Sequence, residues 1–193
     1  MLFRSKYVLI IEEINRGNPA QIFGELLTLI EASKRNSKEA IKLCYPNSEG
    51  LHLPVYVPSN LYIIGTMNVA DRSLALVDMA FRRRFAFINL EPNLNKTWKD
   101  YVVNKLHMDS SVANYIQSEI VNLNSQIASD SRLGKDFQVG HSFFTPNESL
   151  KTKDSKKWFR EVVESEIAPL LQEYWFDSLE EADKAIEKLL ANL

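Results

Sequence analysis

The residues whose type and spacing could do chemistry stand at three places in the chain. Glu12 and Glu13 are adjacent acids after the apolar run Tyr7 to Ile11, Asn68 follows the run Leu61 to Thr66, and Arg82, Arg83 and Arg84 precede Phe85 to Leu90. Short apolar runs without alternation are what strands buried on both faces look like, as in the parallel sheet of an α/β domain. In such open sheets the carboxyl ends of the strands line the ligand crevice, so carboxylates placed there can work on a bound substrate. Each feature also has a structural reading. Acids can solvate a strand end, Asn68 can satisfy the backbone of a turn, and arginines at a helix end complement its dipole. Three adjacent side chains cannot all point one way, so at least one arginine is expected to be an ion-pair partner, of Asp71 or Asp78.

The elements that would position these residues follow from pattern. Gly17-Asn18-Pro19 is a turn, and Pro19 suits the first position of a helix over residues 19 to 33, with Ile22, Phe23, Leu26, Leu27 and Ile30 at helical spacing. Ala40 to Tyr45 and Leu51 to Val57 read as a hairpin around Pro46 to Gly50, with Cys44 a strand residue. Leu61 to Thr66 is a second buried strand, the stretch from Asp71 to the arginines a short helix, and Phe85 to Leu90 a third strand. Glu91-Pro92-Asn93 breaks the pattern, which places a boundary near residue 92. The remainder is helical. Trp98 to Leu106 marks one helix, and Val112 to Ile127 a longer one capped by Ser110 or Ser111. Residues 133 to 144 read as a loop or short extended piece between helices. Trp158 to Ile167 mark a helix that Pro169 should kink or restart, and the last helix begins at Ser178 with Glu181 completing a capping box. The expected fold class is α/β to residue 92 and all-helical from 93 to 193.

Composition narrows the function. Lys plus Arg total 23 against 25 for Asp plus Glu over 193 residues, which gives no general nucleic-acid-binding surface. A single cysteine excludes an internal disulfide and a zinc cluster built by the chain alone. No apolar segment reaches the roughly 18 residues that span a bilayer, and Met1-Leu-Phe-Arg leads into a strand rather than a signal sequence, so a soluble cytoplasmic protein without membrane contact is expected.

Five stretches together are similar to the AAA+ nucleoside triphosphatases, and more closely to the McrB branch, the GTP-using motor subunits of modification-dependent restriction systems. They are IIEEINRGN at 10 to 18, FGELLTLIE at 23 to 31, IIGTMNVADRSLALVDMAFRRRF at 63 to 85, GHSFF at 140 to 144 and PLLQEYWF at 169 to 176. The resemblance covers nearly the whole chain. It implies a partial AAA+ parallel-sheet core, supplying the last three strands over residues 1 to 92, and a helical lid over 93 to 193. Triphosphate hydrolysis needs a metal bridging the phosphates, a carboxylate for the water, a polar group near the terminal phosphate and positive charge for the transition state. On the family pattern Glu12 is the Walker B acid supporting Mg2+ through water, Glu13 polarises the attacking water, and Asn68 is the sensor. One or more of Arg82, Arg83 and Arg84 is the arginine finger reaching a neighbour's nucleotide, and Asp71 and His141 are nucleotide-binding candidates. The resemblance further implies GTP or ATP as substrate, a homo-oligomeric ring, an McrC-like nuclease partner, and contact with 5-methylcytosine-bearing DNA through another domain.

Three departures qualify it. Glu12 stands where aspartate is usual, and Val69 stands where the family's Met-Asn-Thr-x-Asp stretch has threonine, which leaves guanine and adenine both open. No GxxxxGK[ST] occurs in the sequence, so the loop that cradles phosphates is missing, the chain is expected to begin within a domain, and the chain alone is expected to be inactive. An exposed apolar sheet edge near Leu9 to Ile11 or Ile63 is expected to follow. The rival readings are a MoxR-like chaperone ATPase and a non-enzymatic remnant that binds or modulates AAA+ rings.

Overall fold

A computed structural model describes residues 5–70, 79–150, 154–191 and 193. The chain forms two compact units, residues 1–88 and 89–193, and each is described by itself.

In the first unit, strands β1 (Tyr7–Ile11) and β4 (Leu61–Gly65) pair in parallel, with Tyr7 opposite Leu61 and Ile11 opposite Gly65. The chain between them carries helices α1 (Pro19–Phe23) and α2 (Leu26–Leu29) and a minimal antiparallel pair, β2 (Ile41–Lys42) with β3 (Pro54–Val55). Pro19 is buried at the start of α1, and Asn18 caps it by accepting the Gln21 N–H at 3.2 Å. The single helix expected over 19 to 33 is broken at Gly24, whose φ of 46° is a left-handed angle that ends α1. A Cβ there would meet open space, so the backbone angle and not crowding calls for glycine.

The hairpin is shorter than its apolar runs suggest. Its turn is tied by Asn47 Oδ1, which accepts from the N–H groups of Glu49 and Leu51, while Pro54 brings no N–H to the ladder. Cys44 lies outside the pair. It is exposed, and its thiol donates to Glu25 Oε1 at 2.9 Å.

Two further expectations for this unit change. Phe85 to Leu90 forms no strand, because an extended segment becomes one only when a neighbour accepts its hydrogen bonds, and among the described residues β1 and β4 pair only with each other. Phe85 instead stacks on Phe81, with centroids 4.6 Å apart. The two strands are also not buried on both faces: Val8 is 56% and Ile10 60% exposed. The small core of Ile14, Leu27, Ile30 and Phe81 reaches only Ile11 and Ile63 of the ladder.

The second unit has a continuous core of its own. Helices α4 (Lys96–Asn104), α5 (Ser110–Ser129), α6 (Ser155–Val162), α7 (Ala168–Tyr174) and α8 (Leu179–Leu190) enclose Val102, Ile116, Ile120, Phe144, Phe159, Leu171 and Trp175, all fully buried. The N-cap of α5 is Asp109 rather than a serine, and its N–H donates to Ser155 Oγ at 3.0 Å. Pro169 is accommodated by a π-helical turn over Val163–Ile167 that lets α7 restart at Ala168. Ser178 precedes α8 but makes no side-chain cap: its N–H donates to Trp175 O at 2.8 Å, its carbonyl accepts the Glu181 N–H at 2.9 Å, and the Glu181 carboxylate expected to complete the box binds Arg132 at 2.7 Å. Arg132 also pairs with Asp130 and Asp177, and Asp130 accepts from the Trp175 indole at 2.8 Å. Among the described residues no helix is long and apolar enough to cross a membrane.

Candidate functional site

The carboxyl ends of β1 and β4 are tied to each other by polar bonds rather than by packing alone. The ladder continues one step past the strands, with the Thr66 N–H donating to Ile11 O at 3.0 Å. Thr66 then accepts twice, from the Glu13 N–H at its Oγ1 (3.1 Å) and from the Ile14 N–H at its carbonyl (2.9 Å). Asn15, buried behind the turn, donates from Nδ2 to Asn68 O at 3.1 Å. Gly65 permits this closure, because a Cβ there would lie 3.1 Å from Ile14 Cδ1 and 3.2 Å from its Cγ2. Glu12, Glu13 and Asn68 are thereby held at one end of one parallel pair.

The three side chains differ in what they face. Glu12 is exposed, with no hydrogen-bond or ion-pair partner among the described residues. Glu13 takes a left-handed backbone, φ 51°, and its carboxylate forms an ion pair with Arg16, both half exposed or more. Such exposed pairs hold weakly, so the Glu13 carboxylate can be released at little cost. Asn68 folds its own turn, its Oδ1 accepting the Ala70 N–H at 3.0 Å. Its amide nitrogen has no partner among the described residues.

The arginines diverge. Arg82 ends the short helix α3 (Met79–Arg82) and lies 5.2 Å from the Phe87 ring centroid. Arg83 is exposed and makes no ion pair among the described residues. Arg84 is only 15% exposed, binds Glu31 at 2.7 Å and donates to the Ala80 carbonyl. The structural partner expected among the aspartates is therefore Glu31 in the case of Arg84, while Asp71 and Asp78 lie outside the described residues. No described contact joins the arginines to the acids.

His141, in the second unit, is exposed and accepts the Asn93 N–H at Nδ1 (3.2 Å), which places the proton of the neutral ring on Nε2. Its loop is held from beneath by Asn124, which both donates to Val139 O and accepts from Val139 N. Thr66, Asn15, Glu31 and Asn124 were not singled out from sequence. Thr66 and Asn15 lie inside the motif stretches, but nothing in their spacing announced that they bond across to the other strand end.

A hard cation takes oxygen ligands, and magnesium uses one or two carboxylates together with phosphates and water. Unpartnered Glu12 fits that donor chemistry. Among the described residues no group of three or more His, Cys, Asp and Glu could hold a metal ion alone. Glu12 would contribute to a shared site rather than to a protein cage.

A parallel strand pair with acids and an amide at its carboxyl ends, followed in the chain by a helical unit with its own core, is the architecture of a AAA+ core segment with its lid. Residues 2–85 match the model of the AAA domain of the dynein-related subfamily, and residues 115–183 match that of the McrB alpha-helical lid domain. The chain is 42% identical over 189 residues to the type IV methyl-directed restriction enzyme EcoKMcrB subunit of Escherichia coli, an alignment covering 97% of this chain and 40% of that protein. It is 28% identical over 187 residues to the type II restriction enzyme BsuMI component YdiS of Bacillus subtilis, covering 88% of this chain and 49% of that one. The chain is thus a McrB-like AAA+ protein, and it spans less than half the length of either relative.

Proposed function

We propose that the chain contributes the water-activating, sensing and arginine-bearing part of a nucleotide-hydrolysing AAA+ motor, with residues 1–92 in the α/β core and 93–193 as the lid. The motor belongs to a 5-methylcytosine-specific McrBC-like restriction system in the cytoplasm. It hydrolyses GTP or ATP with Mg2+, forms a homo-oligomeric ring, and drives an McrC-like nuclease on DNA bound through another domain. Glu12 supports the metal through water, Glu13 orients the attacking water, and Asn68 reads the terminal phosphate. Of the arginines, Arg82 and Arg83 are the better finger candidates, because Arg84 is committed to Glu31. Asp71 and His141 remain candidates for contact with the nucleotide.

The observation that carries the reading is the bonded closure of the two strand ends by Thr66 and Asn15, which keeps Glu12, Glu13 and Asn68 on one crevice edge. Fused behind a AAA+ half bearing a phosphate-binding loop, the chain should support hydrolysis that Glu13→Gln abolishes while nucleotide binding persists. Normal turnover in that variant would remove Glu13 from the mechanism.

The restriction-system relatives favour this motor over a MoxR-like chaperone.

A further inference from the structure

Thr66 directs both its backbone and its side chain at the turn that carries the acids. Its N–H donates to Ile11 O at 3.0 Å, its carbonyl accepts the Ile14 N–H at 2.9 Å, and its Oγ1 accepts the Glu13 N–H at 3.1 Å. Any residue but proline could make the first two bonds, whereas the third needs a side-chain acceptor. Glu13 is the residue that has to be held. In a strand successive side chains point to opposite faces, so two adjacent acids continuing β1 would serve opposite sides of the sheet. The φ of 51° at Glu13 ends that alternation. Such an angle is disfavoured for a residue with a Cβ and persists only where the surrounding structure fixes it. Here the Glu13 N–H is held by Thr66 Oγ1, and the Glu13 carbonyl accepts the Arg16 N–H at 2.8 Å. The carboxylate itself adds little, because its ion pair with Arg16 is exposed.

We propose that Thr66 is a positioning residue for Glu13: its hydroxyl oxygen holds the left-handed turn from which the Glu13 carboxylate reaches the attacking water, without itself touching the nucleotide. The role rests on the water-orienting assignment of Glu13 proposed above. Valine has the outline of threonine and keeps both backbone bonds, but it offers the Glu13 N–H no acceptor. The turn then relaxes toward the angles an ordinary residue prefers, and the carboxylate moves with it. Thr66 is exposed, so the exchange leaves the core of the unit intact. Asn68 is tied separately, its carbonyl accepting from Asn15 Nδ2 at 3.1 Å, so the loss of the hydroxyl reaches the acid and not the sensor.

Hydrogen exchange in the full chain tests the hold on Glu13 without any nucleotide. In Thr66→Val the Glu13 amide should exchange roughly tenfold faster while the β1–β4 ladder keeps its protection, and Thr66→Ser should restore the slower rate. Unchanged exchange at Glu13 overturns the proposal, and Thr66→Ala, which also lacks the hydroxyl, decides it if Thr66→Val fails to fold. Turnover then tests what the hold serves. With the chain fused behind a AAA+ half bearing a phosphate-binding loop, Thr66→Val should lower kcat roughly tenfold at unchanged nucleotide KM, and Thr66→Ser should again restore it. Because the hydroxyl acts through Glu13, adding Thr66→Val to Glu13→Gln should cost nothing further, and a further loss there overturns the proposal. Wild-type kcat in Thr66→Val beside an inactive Glu13→Gln overturns the positioning role alone, whereas an active Glu13→Gln removes the assignment of Glu13 and this role with it.

Discussion

Asn124 offers the sharpest check on how the second unit holds its His141 loop. It is 5% exposed on α5 and reaches a backbone that is more buried still, Val139 at 1%. Its Nδ2 donates to Val139 O at 3.0 Å, and its Oδ1 accepts from Val139 N at 2.7 Å. Asn124→Ala leaves both peptide groups without a partner in a site sealed from water. Each orphaned buried group costs about 1–3 kcal/mol, offset by about 0.6 kcal/mol from the better helix former. A net loss of about 3 kcal/mol is expected, which for a unit of this size lowers the melting temperature by roughly 12–24 °C. The assay is built in, because Trp98, Trp158 and Trp175 all lie in this unit and residues 1–88 contain no tryptophan. Indole fluorescence during urea unfolding therefore reports on the helical unit alone. Asn124→Asp should be worse at neutral pH, since it sets a charged acceptor against the Val139 carbonyl, and should recover partly in acid as the carboxyl gains a proton. A loss under about 1 kcal/mol for Asn124→Ala would refute the claim that this one amide organises the loop.

Two other expectations concern backbone strain and acid. At Glu13 the usual order of alanine over glycine should invert: at φ 51° every side chain pays about 1–2 kcal/mol that glycine does not, so Glu13→Gly should be more stable than Glu13→Ala by about 1 kcal/mol, read from hydrogen exchange of the β1–β4 amides. The ordinary order would mean that the left-handed turn is not adopted in solution. Asp130 is held well below the usual carboxylate range, first by its bond from Arg132 and then by the Trp175 indole. A carboxylate depressed in the folded state gives stability that is fully present above its unfolded pKa of about 4 and fades as pH falls below it. Urea midpoints of the helical unit should therefore drop from pH 6 to pH 3, and drop less in Asp130→Asn. Equal acid sensitivity in the two would show that Asp130 does not carry the effect.

What could be read from the sequence depended on whether an element's partners lie in the same chain. The amphipathic helices of the second unit were legible because the face that each repeats at helical spacing goes into a shared core, as Ile116, Ile120 and Ile127 of α5 lie in one buried cluster with Phe159 and Ile167. The helix caps were less legible, because Ser178 and Glu181 have the right spacing for a box and yet the Ser178 N–H goes to Trp175 O while the Glu181 carboxylate pairs with Arg132, distant in sequence. In the first unit the two strands and the acids at their ends were visible as apolar runs with polar termini. The bonds that bring those ends together were not, since Thr66 and Asn15 look like ordinary turn residues until the register of β1 against β4 is known.

The failures in that unit share one physical cause. Phe85 to Leu90 has strand composition and, among the described residues, no strand beside it, while Val8 and Ile10 have core composition and lie exposed. Strand propensity measures fit to a pleated, half-buried surface, and it is realised only where neighbouring strands and covering helices supply that surface. A two-stranded sheet with this much apolar side chain in water is therefore informative. Its apolar residues are written for more neighbours than the described residues provide, which is why composition alone misjudged their burial.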